Sequence, residues 1–398
     1  MNYTKAFIPY GVYWSTPFSK WQGSLQALHP LKCAGEVGKA TLEAKGIDPK
    51  IFDEFILGWT VASRHCFYGG PWVAAMCGLE RVTGPIMSQA CATGARCAHT
   101  AAMSIETGST EAVLNVNADR CSNGPHLVYP DPKGFGGKPI AEDWVWDNFG
   151  FDPWAKGKGG MVATAENVAR ENGITREESD ECALLRYSQY KDALKDDRAF
   201  QKRYMAPVTI NPKKGKKLEE DEGVFPTTKE GLAKLKPVMP DGVITFGAQT
   251  FPADGNCGLA VATKEKAAAM SQDKSISIQV CSYGEYREKK NFMAAAVVPA
   301  AQQALERAGI TAQDCAAIKT HNPFSVNDVF MAKKMDLKLE DFNNYGSPMI
   351  FGHTQGPTGT RCIVELIEEL AIKGGGWGLF AGCAAGDSAA ALVIKMEC

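Results

Sequence analysis

The sequence predicts an α/β protein built from two similar halves, the first interrupted by a long insertion. Three observations lead there. Short apolar runs of strand character alternate with Ala- and Leu-rich runs of helical spacing, the pattern of a parallel sheet covered on both faces. Two short motifs recur in the same order: Leu42-Glu43-x-x-Gly46-Ile47 as Leu305-Glu306-x-x-Gly309-Ile310, and Thr93-Gly94-x-Arg96-Cys97 as Thr358-Gly359-x-Arg361-Cys362. Their offsets, 263 residues (Leu42 to Leu305) and 265 (Thr93 to Thr358), agree closely enough to favour duplication over chance. Between the copies, from about residue 121 to 245, the chain turns rich in Gly, Pro, Lys and aromatics.

Taken in order, residues 1–30 read as strand and loop, and Leu31 to Lys45 as an amphipathic helix that stops at Gly46. Phe55 to Trp59 is a buried-strand pattern, Pro71 to Leu79 a short helix, and Pro85-Ile86-Met87 a strand end. Ala92 to Glu106 reads as a helix closed by Gly108, followed by a strand from Ala112 to Ala118. The insertion holds Trp144, Trp146, Phe149, Phe151 and Trp154, then a helix from about Val162 to Asn172. A second helix begins at Thr175 with Glu178 in capping-box spacing. The lysines of Lys213 to Lys217 read either as a phosphate-binding cluster or as a solvated surface loop. From about 275 the first pattern returns, with strands at Ala316 to Lys319 and Gly378 to Gly382. The expected divisions are 1–120 for the first half, 121–245 for an inserted loop domain, 246–270 for a return to the first half, and 271–398 for the second.

Composition bounds the function. The 398 residues are 45% hydrophobic and 22% charged, as in a soluble globular protein. A net charge of −2 gives no global attraction to nucleic acid. No apolar run approaches the roughly 18 residues of a membrane span, and the first residues lack a signal peptide's features. The thirteen cysteines show no metal-ligand spacing, so reduced thiols in a cytoplasm are expected, with no metal.

Cys91 stands where a helix begins. Unpaired N–H groups and the positive end of the dipole there would stabilise a thiolate, which makes Cys91 a candidate nucleophile. On this stretch alone it reads equally as one more small buried hydrophobe. Duplication changes the weighing, because pseudo-symmetry brings equivalent loops of two halves to one centre. Three further segments then join Cys91: Thr320-His321-Asn322-Pro323-Phe324, Phe351-Gly352-His353-Thr354-Gln355-Gly356-Pro357-Thr358-Gly359, and Ala381-Gly382-Cys383-Ala384-Ala385-Gly386-Asp387.

This set of segments resembles the thiolase superfamily, which carries C-A-S-G at the nucleophile, N-E-A-F or H-D-C-F at the second segment, G-H-P-x-G-A-S-G at the third and C-I-G-G-G at the fourth. Thr164-Ala165-Glu166-Asn167-Val168-Ala169 and Thr227-Thr228 with Leu232 to Pro237 also match the family pattern. The resemblance implies a thiolase fold: two duplicated βαβαβαββ halves in five layers, α-β-α-β-α, with an inserted loop domain. It implies an acyltransferase that cleaves a 3-oxoacyl-CoA with coenzyme A or runs the reverse condensation, with coenzyme A as co-substrate and no metal or redox cofactor. By the family pattern Cys91 is the nucleophile, His353 its base and an oxyanion donor, and Cys383 a second acid/base. His321 is a further oxyanion donor, and the backbone of Ala385 completes a second oxyanion hole with that of Cys91. Gly247, Ala248 and Thr250 stand where relatives contact the pantetheine, Thr250 keeping the hydroxyl. A homodimer or homotetramer is implied, with neither nucleic acid nor membrane as partner.

The chain departs from the common pattern in ways that bear on substrate. His321-Asn322-Pro323-Phe324 is nearer the H-D-C-F of sterol-carrier-protein-like and archaeal thiolases. Ala384, Ala385 and Asp387 replace a glycine run, and Val224-Phe225 stands where some relatives place an arginine for the adenine. That branch often works with a small zinc-ribbon and OB-fold partner subunit. The aromatic insertion extends the candidate acyl groups to bulky or aromatic ones, as in benzoylsuccinyl-CoA thiolase. The rival readings are a β-ketoacyl-synthase-like condensing enzyme, which would not need Cys383, and a non-catalytic acyl-CoA-binding homologue.

Overall fold

Strand residues alternate between two apolar faces, so each sheet must be covered twice. Along Ala112–Arg120, Leu114 and Val116 pack outward with Leu31 and Val37, whereas Val113 packs inward with Ala98 and Ile105. Along Ser388–Glu397, Leu392 and Ile394 face the same interior and Val393 faces Val297 and Ala301. The computed structural model describes residues 2–131, 133, 137–150 and 160–398. In it, the helices Pro30–Ala44 and Gly69–Met76 cover the outside of the first sheet. Thr93–Glu106 and Gly356–Lys373 lie between the sheets, and Val297–Ala308 and Ser325–Met335 cover the second. This is the expected α-β-α-β-α layering.

In the first sheet Ile86–Met87, Glu54–Gly58 and Ala112–Arg120 run parallel, and Ala253–Ala262 is antiparallel to the last of them. In the second, Cys315–His321 and Gly376–Ala384 are parallel, then Ser388–Glu397 and Ser277–Arg287 each reverse. Phe7–Ile8 pairs with Ala253–Ala262 on one side and Ser277–Arg287 on the other, and so joins both sheets into an eleven-stranded whole among the described residues. The parallel pattern read from sequence therefore covers only part of each sheet. The reversed strands escape notice because they are as apolar as the parallel ones.

The two halves differ at one hairpin. In the second half, Gly376–Ala384 turns back into Ser388–Glu397 through residues 385–387. In the first half, the same step from Ala112–Arg120 to Ala253–Ala262 takes residues 121–252. The insertion thus hangs from the strand end where the chemistry is expected. Its helices Gly160–Glu171 and Arg176–Ala193, the latter opened by the Thr175–Glu178 capping box, pack against Ser325–Met335 and extend the outer layer of the second half.

The repeated motif marks where the central helices cross. A Cβ on Gly94 would lie 2.5 Å from the Thr360 nitrogen, and one on Gly359 would lie 3.7 Å from the Gly94 Cα. Backbone meets backbone there, and a methyl on Gly94 would overpack it at a cost of about 1–3 kcal/mol. The repeated threonines also do one job twice. Thr93 Oγ1 accepts the Gln89 N–H at 2.8 Å, and Thr358 Oγ1 accepts the Thr354 N–H at 3.1 Å. Each closes the turn that leads into its helix. The repeated arginines have diverged: Arg96 meets Glu285 near the surface, whereas Arg361 is fully buried. Arg361 grips Asp221 of the insertion with two 2.7 Å bonds and lies over the Phe351 ring. Such a pair is costly to bury and costlier to break, because losing one partner strands the other charge. It fixes the insertion to the helix that follows His353.

Candidate active site

The expected segments converge. Cys91 Sγ lies 3.1 Å from His353 Nε2 and 3.2 Å from Gln355 Oε1. The His321 and His353 rings stack with centroids 4.2 Å apart, and Cys91, His321 and His353 bring donor atoms within 4.8 Å of one another. Each side chain is set by local structure. The turn before Cys91 holds Ala90 at φ +45°, a conformation that costs a non-glycine residue about 1–2 kcal/mol. Thr93 Oγ1 donates to the Ala90 carbonyl at 2.7 Å and keeps the turn in place. His353 is stitched to the strand that follows the insertion: its N–H donates to Phe251 O at 2.9 Å and its carbonyl accepts from Ala253 N at 3.0 Å.

Thr358 orients the His353 ring. Its Oγ1 lies 2.8 Å from His353 Nδ1. With Nδ1–H donating to it, Nε2 turns a lone pair toward the Cys91 S–H. Asp119, buried at the end of Ala112–Arg120, accepts from Thr60 N, Thr60 Oγ1, Val61 N and Gly356 N at 2.8–2.9 Å. It ties the loop of one half to the histidine turn of the other, and burial pushes its carboxyl up to about 7 against those four donors.

His321 and Cys383 come from neighbouring parallel strands, at the carboxyl ends where such sheets place their sites. His321 pairs in register with Gly382, whose missing side chain makes room for it: a Cβ there would sit 2.8 Å from His321 Cβ. Both ring nitrogens of His321 are buried with no hydrogen-bond partner among the described residues. Cys383 is fully buried, and its sulfur accepts from Asn327 Nδ2 at 3.2 Å.

The electrostatics correct one expectation. The Cys91 sulfur does receive N–H groups, from Ala385 and from Cys91 itself, but burial outweighs them and pushes the thiol up to about 11. Burial likewise holds His353 down to about 3, opposed by its contact with Gln355. His321 is held well below its ordinary value by burial and then by the charge of His353. Burial also raises Cys383, with further repulsion from Cys91 and relief from Asn327. The resting pair is therefore a neutral thiol and a neutral imidazole, not a thiolate stabilised at a helix start.

This carries a prediction for stability. An unfolded histidine gains a proton below about pH 6.5, whereas folded His353 does not until about pH 3. The unfolded state binds more protons in that window, so stability falls with acidification, by about 1.4 kcal/mol at pH 5.5 from His353. His321 adds a loss of the same sign. Urea midpoints at pH 7 and 5.5 should fall less in His353→Asn than in the wild type. Equal losses would contradict this origin.

A cavity of about 370 Å³ opens onto Cys91, His353, Gln355 and Ala385, with Met161, Met293, Phe324 and Thr250 among its other walls. Thr250 donates its hydroxyl to Pro348 O at 2.6 Å, which leaves only its lone pairs for a ligand. Gly247 and Ala248 do not line the cavity: Gly247 lies against Leu232 and Leu235, and Ala248 is fully buried with its carbonyl accepting from Ser325 N. The lysine cluster occupies Pro212–Lys214 and Lys216–Leu218, and Lys217 borders a different cavity beside Pro30–Ala44. Trp144 donates to Thr60 O at 3.0 Å, and Trp146 packs on Trp21, neither facing the Cys91 cavity. Phe151, Trp154 and the side chain of Phe149 lie outside the described residues.

Gln355, Pro357 and Thr358 stand out in the sequence as variations of the histidine loop, but the contact of Gln355 with Cys91 and the ring contact of Thr358 do not. The repeat itself signalled Thr358, since Thr93 is its counterpart. Nothing in the sequence marks Asp119 or Asn327.

Comparison with known proteins agrees with this fold. Residues 14–265 match the thiolase N-terminal domain and residues 275–396 the thiolase C-terminal domain. The chain is 27% identical to the mitochondrial 3-ketoacyl-CoA thiolase of Homo sapiens over 387 residues, 96% of each protein. It is 28% identical to the acetyl-CoA acetyltransferase of Escherichia coli K12 over 388 residues, again 96% of each. Among solved structures, human mitochondrial 3-ketoacyl-CoA thiolase in complex with CoA superposes with a TM-score of 0.89 at 25% identity over 99% of both chains. The acetyl-CoA acetyltransferase of Bacillus anthracis does so with a TM-score of 0.88 at 27% identity, also over 99% of both. The two family domains between them span nearly the whole sequence, and the chain belongs to the thiolase family of acyltransferases.

Proposed function

We propose that this protein cleaves a 3-oxoacyl-CoA with coenzyme A, or runs the reverse Claisen condensation, through an acyl group held on Cys91. The observation that carries the reading is the 3.1 Å contact between Cys91 Sγ and His353 Nε2 on the wall of the cavity. In cleavage, His353 Nε2 takes the thiol proton as the sulfur attacks the 3-oxo carbon. The N–H groups of Cys91 and Ala385 hold the oxyanion that forms. The carbonyl then re-forms and the C2–C3 bond breaks, its electron pair passing into the enolate of the departing CoA thioester. Cys383 protonates that enolate at carbon, while His353 and His321, the latter through a water, hold its oxygen. The imidazolium proton returns the Cys383 thiolate to a thiol. His353 next takes the coenzyme A proton as that thiol attacks acyl-Cys91, and passes it to the Cys91 sulfur as it leaves. Neutral resting partners suit this scheme, because no charge need be held in the buried site until substrate arrives.

Thr250, Gly247 and Ala248 are the proposed pantetheine contacts, supported by the place of Thr250 on the cavity wall. A bulky or aromatic acyl group, benzoylsuccinyl among them, is the proposed substrate class, supported by the Met161, Met293 and Phe324 walls and not by Trp144 or Trp146. A homodimer or homotetramer and a zinc-ribbon partner belong to the same proposal. A reducing, cytoplasmic setting belongs to the proposal as well; no helix among the described residues is long and apolar enough to cross a membrane.

The test is a thiolysis panel of straight-chain, branched and aromatic 3-oxoacyl-CoAs, with intact-mass detection of the protein after each. Cleavage of at least one member, with an acyl mass on the Cys91 peptide, is expected. No cleavage and no adduct across the panel would support a non-catalytic homologue instead.

A further inference from the structure

We propose that Asn327 is the residue that equips Cys383 for its proton transfers, by donating an amide N–H to the sulfur. The proposal rests on Cys383 acting as the acid/base of carbon–carbon cleavage. Asn327 is the third residue of Ser325–Met335, the helix that follows the His321 segment, and it is 1% exposed against a fully buried Cys383. Its amide is oriented from both ends. The Phe324 N–H donates to Asn327 Oδ1 at 3.3 Å, so the oxygen is committed to the backbone. The nitrogen is thereby turned to Cys383 Sγ, at 3.2 Å.

A sulfur that accepts an N–H bond is stabilised more as thiolate than as thiol. This matters at Cys383, because it lies in an apolar layer among Leu379, Ala381 and Ala389. Among the described residues, no Lys, Arg or His side chain hydrogen-bonds its sulfur. Every factor but the Asn327 bond and the backbone N–H of Cys383 itself opposes the thiolate. The thiolate appears when Cys383 gives its proton to the enolate carbon: the S–H bond breaks, a C–H bond forms, and the electron pair stays on sulfur. It appears again in condensation: His353 takes the Cys383 proton, and the thiolate so formed takes the α-proton of a CoA thioester, leaving an enolate and the Cys383 thiol. In both directions the N–H of Asn327 supports the charged form. At Cys91 the neighbouring side-chain amide instead presents its oxygen, Gln355 Oε1, and the N–H groups come from the backbone of Cys91 and Ala385.

Exchange of labelled coenzyme A into an acyl-CoA requires only Cys91 and His353, whereas cleavage of a 3-oxoacyl-CoA also requires Cys383. This separates Asn327 from the rest of the site. Asn327→Asp keeps the acceptor for the Phe324 N–H and removes the donor; Asn327→Leu removes both. Using the best substrate of the thiolysis panel and its acyl-CoA, both variants should lose at least tenfold in cleavage. Label exchange should stay within about twofold of wild type. Solvent-deuterium exchange at the α-carbon of the released CoA thioester should rise with pH in all three proteins. Its rising limb should move to higher pH by about one unit in Asn327→Leu, the equivalent of tenfold at fixed pH. In Asn327→Asp, whose carboxylate repels the thiolate, the limb should move further. Unchanged cleavage in Asn327→Asp would overturn the proposal. So would equal losses in cleavage and label exchange, which would mark Asn327 as merely structural. Should the wild type form no adduct on Cys91, the proposed function fails first and this assignment with it.

Discussion

Replacing Cys91 with alanine should lower thiolysis about ten-thousandfold or more and abolish the acyl adduct. The expectation follows from how the site divides its work. His353, His321 and the N–H groups of Cys91 and Ala385 would remain, and with them part of the binding and oxyanion stabilisation. Among the described residues, Cys91 is the sulfur held against the His353 imidazole, and Cys383 is held by Asn327 instead, so Cys383 lacks the base that activates the attack. The fold should survive, since alanine removes only a sulfur that stands on the cavity wall. The check is the turnover number together with the mass of the Cys91 peptide after exposure to substrate. Retention of even one-tenth of the activity would remove Cys91 from the nucleophile's role.

Replacing Cys383 with serine should lower carbon–carbon cleavage about a thousandfold, the usual scale for a positioned acid/base, while coenzyme A exchange through acyl-Cys91 continues. Serine keeps the size and the bond from Asn327, but its hydroxyl is far less acidic than a thiol. The split between the two half-reactions also decides between neighbouring chemistries. A β-ketoacyl-synthase-like enzyme would use His321 and His353 and tolerate the change. The stacked histidines alone do not distinguish the two enzymes; loss of cleavage with retained exchange does. Full activity in Cys383→Ser would discard the thiolase mechanism proposed here.

Much of this was legible in the sequence, for identifiable reasons. The duplication showed because Thr93-Gly94 and Thr358-Gly359 are held by backbone geometry: the glycines by the crossing, the threonines by the turns they close. Cys91, His321, His353 and Cys383 stood out because each follows a strand pattern or opens a helix pattern. The electrostatic state of Cys91 was not legible. The rule that a helix start favours a thiolate holds for exposed sulfur, and only the packed structure reveals the burial that reverses it. The contacts of Asn327 and Gln355 with the two sulfurs were invisible for a related reason. An amide in a sequence carries no sign of which end faces what, and that depends on a single backbone N–H at Phe324 or a single turn at Gln355. The reversed strands were missed because antiparallel and parallel strands buried on both faces have the same composition.

The contact of Gly94 with Gly359 also governs when the protein becomes reactive during its synthesis. Cys91 and His353 are separated by 262 residues of chain. At a translation rate of roughly 5–20 residues per second, the nucleophile emerges about 13–50 s before its base. Throughout that interval Thr93–Glu106 has one bare face where Gly356–Lys373 will lie, and Cys91 has no imidazole beside it. If Cys91 and His353 act as proposed, self-acylation cannot begin until the turn that carries His353 has been made and docked.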